Sequence, residues 1–258
     1  MHQSQGSPGG DRRSRLNRDA SLRDAWDSQA DNWIAWAQTP MHDTYWRFHG
    51  EQFLDLIPPA RQLTVDIGAG EGRLARELSA RGHRVIAIDA SLPLLTASRA
   101  ADGGLPVIQA DAARLPVASG AADLAVAFMS LQDIDDMPTA IREAGRVLGA
   151  GGNLIFAIVH PLNSAGSFTE KSPDSPFVIA GTYLDSFRYE DHVERDGLEM
   201  SFVSDHRPLE AYFAALTDSG FLVEELREPR VPENAIGAPA ERRWQRVPLF
   251  LHARAVKP

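Results

Sequence analysis

The segment Val65–Gly72 joins a short apolar run to a helical pattern and ends with three glycines at alternate positions. These glycines are Gly68, Gly70 and Gly72. Glycine lets the backbone turn sharply and lets a ligand approach it closely. An ordinary strand-to-helix turn needs only one glycine, so three of them favour a ligand-binding loop. The first chemistry that these residues indicate is the binding of a nucleotide-like molecule.

Two nucleotide-containing cofactors compete for this loop. The dinucleotide fingerprint G-x-G-x-x-G requires its third glycine at position 73, where this chain has Arg73. Asp66, just before the turn, would repel a pyrophosphate, whereas it suits a ligand that carries an ammonium and a sulfonium group. The loop therefore favours S-adenosylmethionine over a nicotinamide dinucleotide.

Two further acids follow the next two apolar runs. Asp89 is placed to accept hydrogen bonds from ribose hydroxyls, and its alternative role is to cap the helix that starts near Ser91. Asp111 is placed to accept from the exocyclic amine of adenine, and its alternative is an ordinary loop aspartate.

Short apolar segments alternate with amphipathic ones along the middle of the chain. The predicted strands are Leu63–Ile67, Val85–Ile88, Val107–Ala110, Leu124–Phe128, Leu154–Val159, Phe221–Leu226 and Leu249–Val256. The predicted helices between them are Glu71–Ala80, Ser91–Ala101, Pro138–Leu148 and Leu209–Ser219. Because the strands are almost uniformly apolar, helices should cover both faces of a parallel, doubly wound α/β sheet.

The order and spacing of these motifs resemble the class I S-adenosylmethionine-dependent methyltransferases, and within them the small-molecule methyltransferase type 11 group. The matching segments are Asp66–Gly72, Asp89, Asp111–Ala112, Ala122–Leu124 and Glu143–Gly152. The resemblance implies a Rossmann-like sheet of seven strands whose last strand is antiparallel. It implies S-adenosylmethionine as cofactor and S-adenosylhomocysteine as product, in a site formed by Asp66, Gly68, Ala69, Gly70, Asp89, Ala90, Ser91, Leu92, Asp111, Ala112, Met129 and Ser130.

Methyl transfer needs a general base only if the acceptor must lose a proton. His160 follows the fifth strand at the carboxyl edge of the sheet, where ligands bind in open α/β folds, and is the first candidate. His206, at the head of the last crossover helix, is the second. The alternatives are a structural histidine at a strand end for His160 and a helix cap for His206.

Substrate contacts are expected from Gln132, after the fourth strand, and from Trp33, Trp36, Tyr45 and Tyr183. The aromatic side chains in the N-terminal helices are alternatively the buried faces of those helices. Asp133, Asp135 and Asp136 form an acidic group, which we interpret as capping the helix at Pro138 rather than binding a metal.

Composition and patterning divide the chain into a disordered leader (1–20) and one methyltransferase domain (21–258), with a helical lid (21–57) and a cap insertion after the fifth strand (161–205). The cap holds two possible strands, Thr182–Arg188 and Leu198–Val203, with a hairpin signal at Asp196-Gly197. The chain has no cysteine, no long apolar run and a net charge of -9. We therefore expect a cytoplasmic protein that binds neither membrane nor nucleic acid.

The predicted activity is methyl transfer from S-adenosylmethionine to an oxygen, nitrogen or carbon atom of a small molecule, in natural-product or other secondary metabolism. One alternative is a cyclase or decarboxylase that uses the same fold and cofactor site without methyl transfer. A nicotinamide-dependent oxidoreductase and a non-catalytic binding module are weaker alternatives.

Overall fold

The computed structural model describes residues 12–17, 20–40, 42–101 and 104–258. Its strands in chain order are β1 (Arg12–Leu16), β2 (Thr64–Ile67), β3 (Val85–Asp89), β4 (Val107–Gln109), β5 (Ala122–Phe128), β6 (Leu148–Val159), β7 (Gly166–Phe168), β8 (Phe177–Ile179), β9 (Phe187–Arg195), β10 (Leu198–His206), β11 (Leu222–Arg227) and β12 (Phe250–Val256). Its α-helices are α1 (Leu22–Gln38), α2 (Thr44–Leu54), α3 (Arg73–Ala80), α4 (Leu92–Ala100), α5 (Met137–Val147), α6 (Pro161–Ala165) and α7 (Leu209–Asp218).

Seven strands form the main sheet in the order β11-β12-β6-β5-β2-β3-β4. Strands β6, β5, β2, β3 and β4 are parallel to one another, whereas β12 is antiparallel to both β6 and β11. The predicted seven-stranded, Rossmann-like α/β sheet with an antiparallel last strand is confirmed. Because the parallel strands all end on one edge, the segments that follow them are brought together there.

Apolar side chains from the strands build a core on each face of this sheet. One core joins the sheet to α5 and α7, through residues such as Ile141 and Leu216. The other joins it to α2 and α3, through residues such as Phe53 and Leu78. Central strand β5 is buried on both faces, which explains its uninterrupted apolar run from Leu124 to Phe128. In the part of the chain that the structure describes, no helix is both long enough and apolar enough to span a membrane.

Part of the predicted disordered leader is ordered, so that prediction is wrong for residues 12–16. These residues form β1, which pairs antiparallel with β9. Arg13 fixes the pairing through an ion pair with Asp191 at 2.6 Å, and the Arg15 guanidinium lies 3.8 Å from the centre of the Phe187 ring. Residues 1–11, 18 and 19 of the predicted leader lie outside the described residues.

The cap hairpin turns at Asp196 and Gly197, as the sequence indicates, with φ angles of 51° and 79°. Its first strand begins at Phe187 rather than at Thr182, which corrects the predicted boundary. The reason is the register: a two-residue turn pairs Arg195 with Leu198, and β10 ends at His206, whose partner is Phe187.

Helix α1 lies between the cap hairpin and the main domain. Ser21 caps it by accepting a hydrogen bond from the Asp24 N–H. Its tryptophans surround one cap residue, since the rings of Trp26, Trp33 and Trp36 lie 6.5, 6.0 and 6.3 Å from that of Phe202. The helix therefore holds the cap over the carboxyl edge of the sheet.

Two buried histidines, one in α2 and one in β12, make the stability of the fold depend on pH. Burial lowers the pKa of His49 to about 4, and burial together with His49 and Arg227 lowers that of His252 to about 3. The unfolded chain, with histidine pKa values of about 6.5, takes up protons that the folded protein excludes. Stability should therefore fall as pH drops from about 6.5 towards about 4, by about 1.4 kcal/mol per pH unit for each histidine.

His49→Leu should remove one histidine's share of this slope, as measured by urea unfolding at a series of pH values. His192→Gln changes an exposed histidine and is the control, which should keep the full slope. An unchanged slope in His49→Leu would contradict the assignment of acid sensitivity to this buried pair.

Candidate active site

A large cavity of about 970 Å³ lies at the carboxyl edge of the parallel strands. The ends of β2 to β6 form its floor, through Asp66, Asp89, Asp111, Met129 and Val159. Its walls come from α1, from the inner face of the cap hairpin, and from residues 166–171 and 243–250. This volume is near the upper end of the ~300–1,000 Å³ range for small-molecule sites.

The glycines after β2 have separate roles. Gly68 and Gly70 have φ angles of 70° and 56°, in the left-handed region. A Cβ on Gly68 would lie 2.4 Å from the Ser130 Cβ, so this glycine allows two loops to touch. A Cβ on Gly70 would point into the cavity, where its nearest neighbour is the Trp33 Nε1 at 3.8 Å. Gly72 serves packing, because its Cβ would lie 2.2 Å from the Ser98 Oγ.

Asp66 is a buried carboxylate that faces this cavity. Only 1% of its surface is exposed, and neither of its carboxylate oxygens has a hydrogen-bond partner among the described residues. Burial, together with the nearby charges of Asp89 and Glu71, raises its pKa to about 8. A buried acid without a partner is unfavourable in its charged form unless a cation binds beside it. The ammonium group of S-adenosylmethionine has the chemistry that this site requires.

Asp89 connects the glycine loop to the start of α4. Its two carboxylate oxygens accept from the Gly70 N–H at 2.7 Å and the Ser91 N–H at 2.8 Å. Burial raises the pKa of Asp89, although these two hydrogen bonds lower it in part. Ser91, not Asp89, is the N-cap of α4. Each oxygen of Asp89 keeps a lone pair for a ligand hydroxyl.

Asp111, Ala112 and Ala90 line the adenine side of the expected site. Asp111 accepts from the Ala113 N–H at 2.8 Å, which gives it the local role that the sequence left open, while it still faces the cavity. Leu92 does not line the cavity: it is 56% exposed, and Leu94 lines the wall instead. The helical repeat places Ser91 and Leu94 on one side of α4 and turns Leu92 outwards.

Met129 and Ser130 lie between the glycine loop and β5. Met129 has a φ of 57°, unusual for a residue with a side chain, and its N–H donates to the Ala157 carbonyl at 2.9 Å. The Ser130 hydroxyl donates to the Ile67 carbonyl at 2.6 Å. Ala69 completes the same wall. These contacts fix the floor of the cavity at the centre of the sheet.

The structure does not place His160 in the cavity, which corrects its assignment as the base. Its Nδ1 accepts from the Leu162 N–H at 3.0 Å, and its Nε2 donates to Glu228 Oε1 at 3.0 Å. Val159 lines the cavity instead, because successive side chains of an extended segment point to opposite sides. His160 caps α6 and connects it to the segment after β11.

His206 and Tyr183 are also outside the cavity, and their predicted roles are corrected in the same way. His206 is fully buried, with Nδ1 at 2.7 Å from the Ser164 Oγ and Nε2 at 2.9 Å from the Tyr183 carbonyl oxygen. Its ring stacks on Phe187 at 4.6 Å. Both nitrogens are occupied, and Tyr183 itself accepts from the Leu209 N–H. These residues hold the cap in place.

Asp133 lines the cavity beside Gln132 after β5 and does not cap α5, whose N-cap is Asp136. The carboxyl group of Asp133 faces the acceptor side, where Oδ1 accepts from the Ser204 hydroxyl at 2.5 Å and Oδ2 from Gln132 Nε2 at 3.2 Å. Burial raises its pKa to about 8, against the lowering effects of Ser204 and Arg207. Gln132 is where the sequence places it, and its Oε1 has no partner among the described residues.

The other two acids of this group have separate partners. Asp135 accepts from Arg188, and Asp136 is the N-cap of α5, accepting from the Thr139 N–H at 3.2 Å. The capping role expected here therefore falls to Asp136.

Trp33, Trp36 and Tyr45 line the cavity. Trp33 lies over the glycine loop, so it belongs to the cofactor side as much as to the substrate side. The Tyr45 hydroxyl is turned away to His252 Nε2 at 2.9 Å, and burial raises its pKa well above the ordinary value. Tyr45 therefore offers an aromatic edge to a ligand rather than a titrating hydroxyl.

Comparison with known proteins agrees with this geometry. Residues 65–156 match a type 11 methyltransferase family described as "Methyltransferase domain". A demethylmenaquinone methyltransferase of Corynebacterium kroppenstedtii is 35% identical over 43% of this chain and 47% of its own length. A malonyl-acyl-carrier-protein O-methyltransferase of Pectobacterium atrosepticum is 31% identical over 49% of both chains. The match thus spans about half the length of these curated relatives.

A crystal structure of an S-adenosylmethionine-dependent methyltransferase from Mesorhizobium loti has the same fold, with a TM-score of 0.66 and 24% identity over 81% of this chain and 97% of that one. Residues 65–156 are thus similar in sequence to the methyltransferase family, and the chain shares the fold of class I S-adenosylmethionine-dependent methyltransferases. S-adenosylmethionine is the cofactor of that class.

The glycine loop yields a matched pair of variants. Gly70→Val should put a side chain where the cofactor binds and lower the affinity for S-adenosylhomocysteine more than about tenfold. Gly104→Val introduces the same strain, since Gly104 has a φ of 57°, but its Cβ meets nothing within 4 Å. Both should lose about 1–2 kcal/mol of stability. Titration calorimetry with S-adenosylhomocysteine should show the loss of affinity in Gly70→Val and not in Gly104→Val.

Equal S-adenosylhomocysteine affinities for wild type and Gly70→Val would contradict this placement of the site. A loss of affinity in Gly104→Val of the same size would show that strain, not occlusion, is being measured.

Proposed function

We propose that the protein transfers a methyl group from S-adenosylmethionine to a small-molecule acceptor at an oxygen, nitrogen or carbon atom. The unpartnered carboxylate of Asp66, buried beneath the glycine loop, is the observation that carries this proposal. When bound, the cofactor supplies a sulfonium methyl carbon that accepts an electron pair from the acceptor. The rest of the work is positioning and the exclusion of water.

The residues divide this work along the sheet. Asp66 would pair with the ammonium group of the cofactor, Asp89 would accept from the ribose hydroxyls, and Asp111 would accept from the adenine amine. All three line the same cavity. Trp33 would cover the methionine part of the cofactor, above Gly70. The remaining space, over β5, β6 and β12, would hold the acceptor.

For an acceptor with an O–H or N–H group, Asp133 would take the proton. Its carboxyl group lines the acceptor side of the cavity, and Ser204 and Gln132 hold it by hydrogen bonds. Gln132 Oε1, without a partner among the described residues, would accept a second hydrogen bond from the acceptor. His160, which faces Glu228, is not needed for this step.

The test is incubation of the protein with S-adenosylmethionine and a panel of phenols, aromatic amines and 1,3-dicarbonyl compounds. Mass spectrometry should show one added methyl group and an equal amount of S-adenosylhomocysteine. For oxygen and nitrogen acceptors, Asp133→Asn should lower turnover by ~10²–10⁴ while cofactor affinity is kept. His160→Ala should keep turnover close to that of the wild type.

Three results would contradict parts of this proposal. An acceptor that is converted without gaining a methyl group would favour a non-methylating reaction in the same site. Full turnover in Asp133→Asn would remove Asp133 as the proton acceptor. A large loss of turnover in His160→Ala, with its fold intact, would restore His160 as the base.

A further inference from the structure

Arg243 is a buried cation in the wall of the cavity. It belongs to the short 3₁₀ segment Pro239–Gln245, and only 8% of its surface is exposed. Arg246 fixes this segment, since its guanidinium donates to the Ser175 carbonyl at 2.6 Å. This hydrogen bond helps to fix the end of the segment that carries Arg243.

The guanidinium of Arg243 lies close to two aromatic rings. Its Cζ is 4.9 Å from the centre of the Trp244 ring and 5.8 Å from that of Phe168. Its Nη1 donates to the Ala240 carbonyl at 2.6 Å, which uses one of its five N–H donors. Among the described residues, no carboxylate lies within ion-pair distance of it.

Two other arginines that line the cavity each have an acidic partner. Arg13 pairs with Asp191 at 2.6 Å, and Arg73 pairs with Asp43 at 2.7 Å. Aromatic contacts stabilise a cation by only ~0.5–2 kcal/mol, and a buried charge without a counter-ion is costly. Arg243 is therefore matched to an anion that the described part of the protein does not supply.

The charges of the cavity are separated along the sheet. Asp66, Asp89 and Asp111 lie at the ends of β2, β3 and β4, where the cofactor is expected. Arg243 lies just before β12, on the other side of β5 in the strand order. The acceptor side thus carries the cation of Arg243 in addition to the acid Asp133, whereas the cofactor side carries three acids.

The geometry points to Arg243 as the binding site for an anionic group, a carboxylate, sulfonate or phosphate, carried by an acceptor with an apolar body. The planar guanidinium matches such oxyanions by paired hydrogen bonds. The rings of Phe168 and Trp244 would hold it and contact the apolar part. This assignment rests on the proposed function, because it assumes that the acceptor occupies the space beside the cofactor.

Two fluorescent probes test the assignment without knowledge of the natural acceptor. They are 1-anilinonaphthalene-8-sulfonate and N-phenyl-1-naphthylamine, which share one apolar body and differ in the sulfonate. Each is titrated into protein saturated with S-adenosylhomocysteine. The sulfonate should bind to one site, at least about tenfold more tightly than the neutral probe.

Arg243→Met should reduce this preference to about twofold or less and leave the affinity for the neutral probe unchanged. Arg242→Met is the matched control, because its exposed side chain pairs with Glu233 and lies outside the cavity wall. It should keep the full preference. Arg243→Lys keeps the charge but loses the planar guanidinium, so it should keep part of the sulfonate preference. It is the second variant in case Arg243→Met has a folding defect.

Absence of a preference in the wild type, absence of binding by both probes, or the same preference in Arg243→Met would overturn the assignment. The separate titration of S-adenosylhomocysteine distinguishes this failure from failure of the proposed function. Bound S-adenosylhomocysteine without a sulfonate preference rejects only the role of Arg243. Absence of S-adenosylhomocysteine binding rejects the proposed function itself.

Discussion

The unpartnered, buried carboxyl group of Asp66 is the constraint around which the site is built. It sits at the end of β2, in the centre of a sheet covered by helices on both faces, and only 1% of its surface is exposed. No donor of the described protein reaches its oxygens, and Asp89 and Glu71 add negative charge nearby. A fold optimised for stability alone would place an apolar residue there. This arrangement is favourable once a cation binds, and the glycine loop leaves room for that cation.

The enclosure of this carboxylate depends on a buried ion network between cap and sheet. Asp205 of β10 accepts from Arg188 at 2.9 Å and from Arg207 at 3.0 Å. Arg207 also donates to carbonyl groups of the loop after β5, including that of Ile134 at 2.7 Å. The loop that carries Gln132 and Asp133 is thus attached to the hairpin that covers it. Removing one member of this network would leave a buried charge, so cap and acceptor side are coupled.

The sequence predicted that the glycine loop and Asp89 lie at one edge of the sheet, because local rules govern these positions. Glycines at alternate positions require left-handed turns, and acids after parallel strands must meet at one edge, so Gly68, Gly70 and Asp89 were placed by pattern alone. The acceptor half depends on tertiary contacts. Whether His160 faces the cavity is decided by which side of the chain Val159 occupies, and Arg243 lies in an irregular segment with no periodicity. Strand β1 was missed because its order comes from pairing with β9. That strand is far away in the sequence, since Arg12 pairs with His192 and Leu16 pairs with Arg188.

The most direct test of the central claim is the number of protons released when S-adenosylmethionine binds at pH 7, measured by calorimetry in buffers of different ionisation enthalpy. Burial raises the pKa of Asp66 to about 8, so the free protein holds a proton there at pH 7 that the cofactor's ammonium should displace. The wild type should release close to one proton, and Asp66→Asn should release almost none and bind at least about tenfold more weakly. Equal proton release and equal affinity in the two proteins would contradict the account.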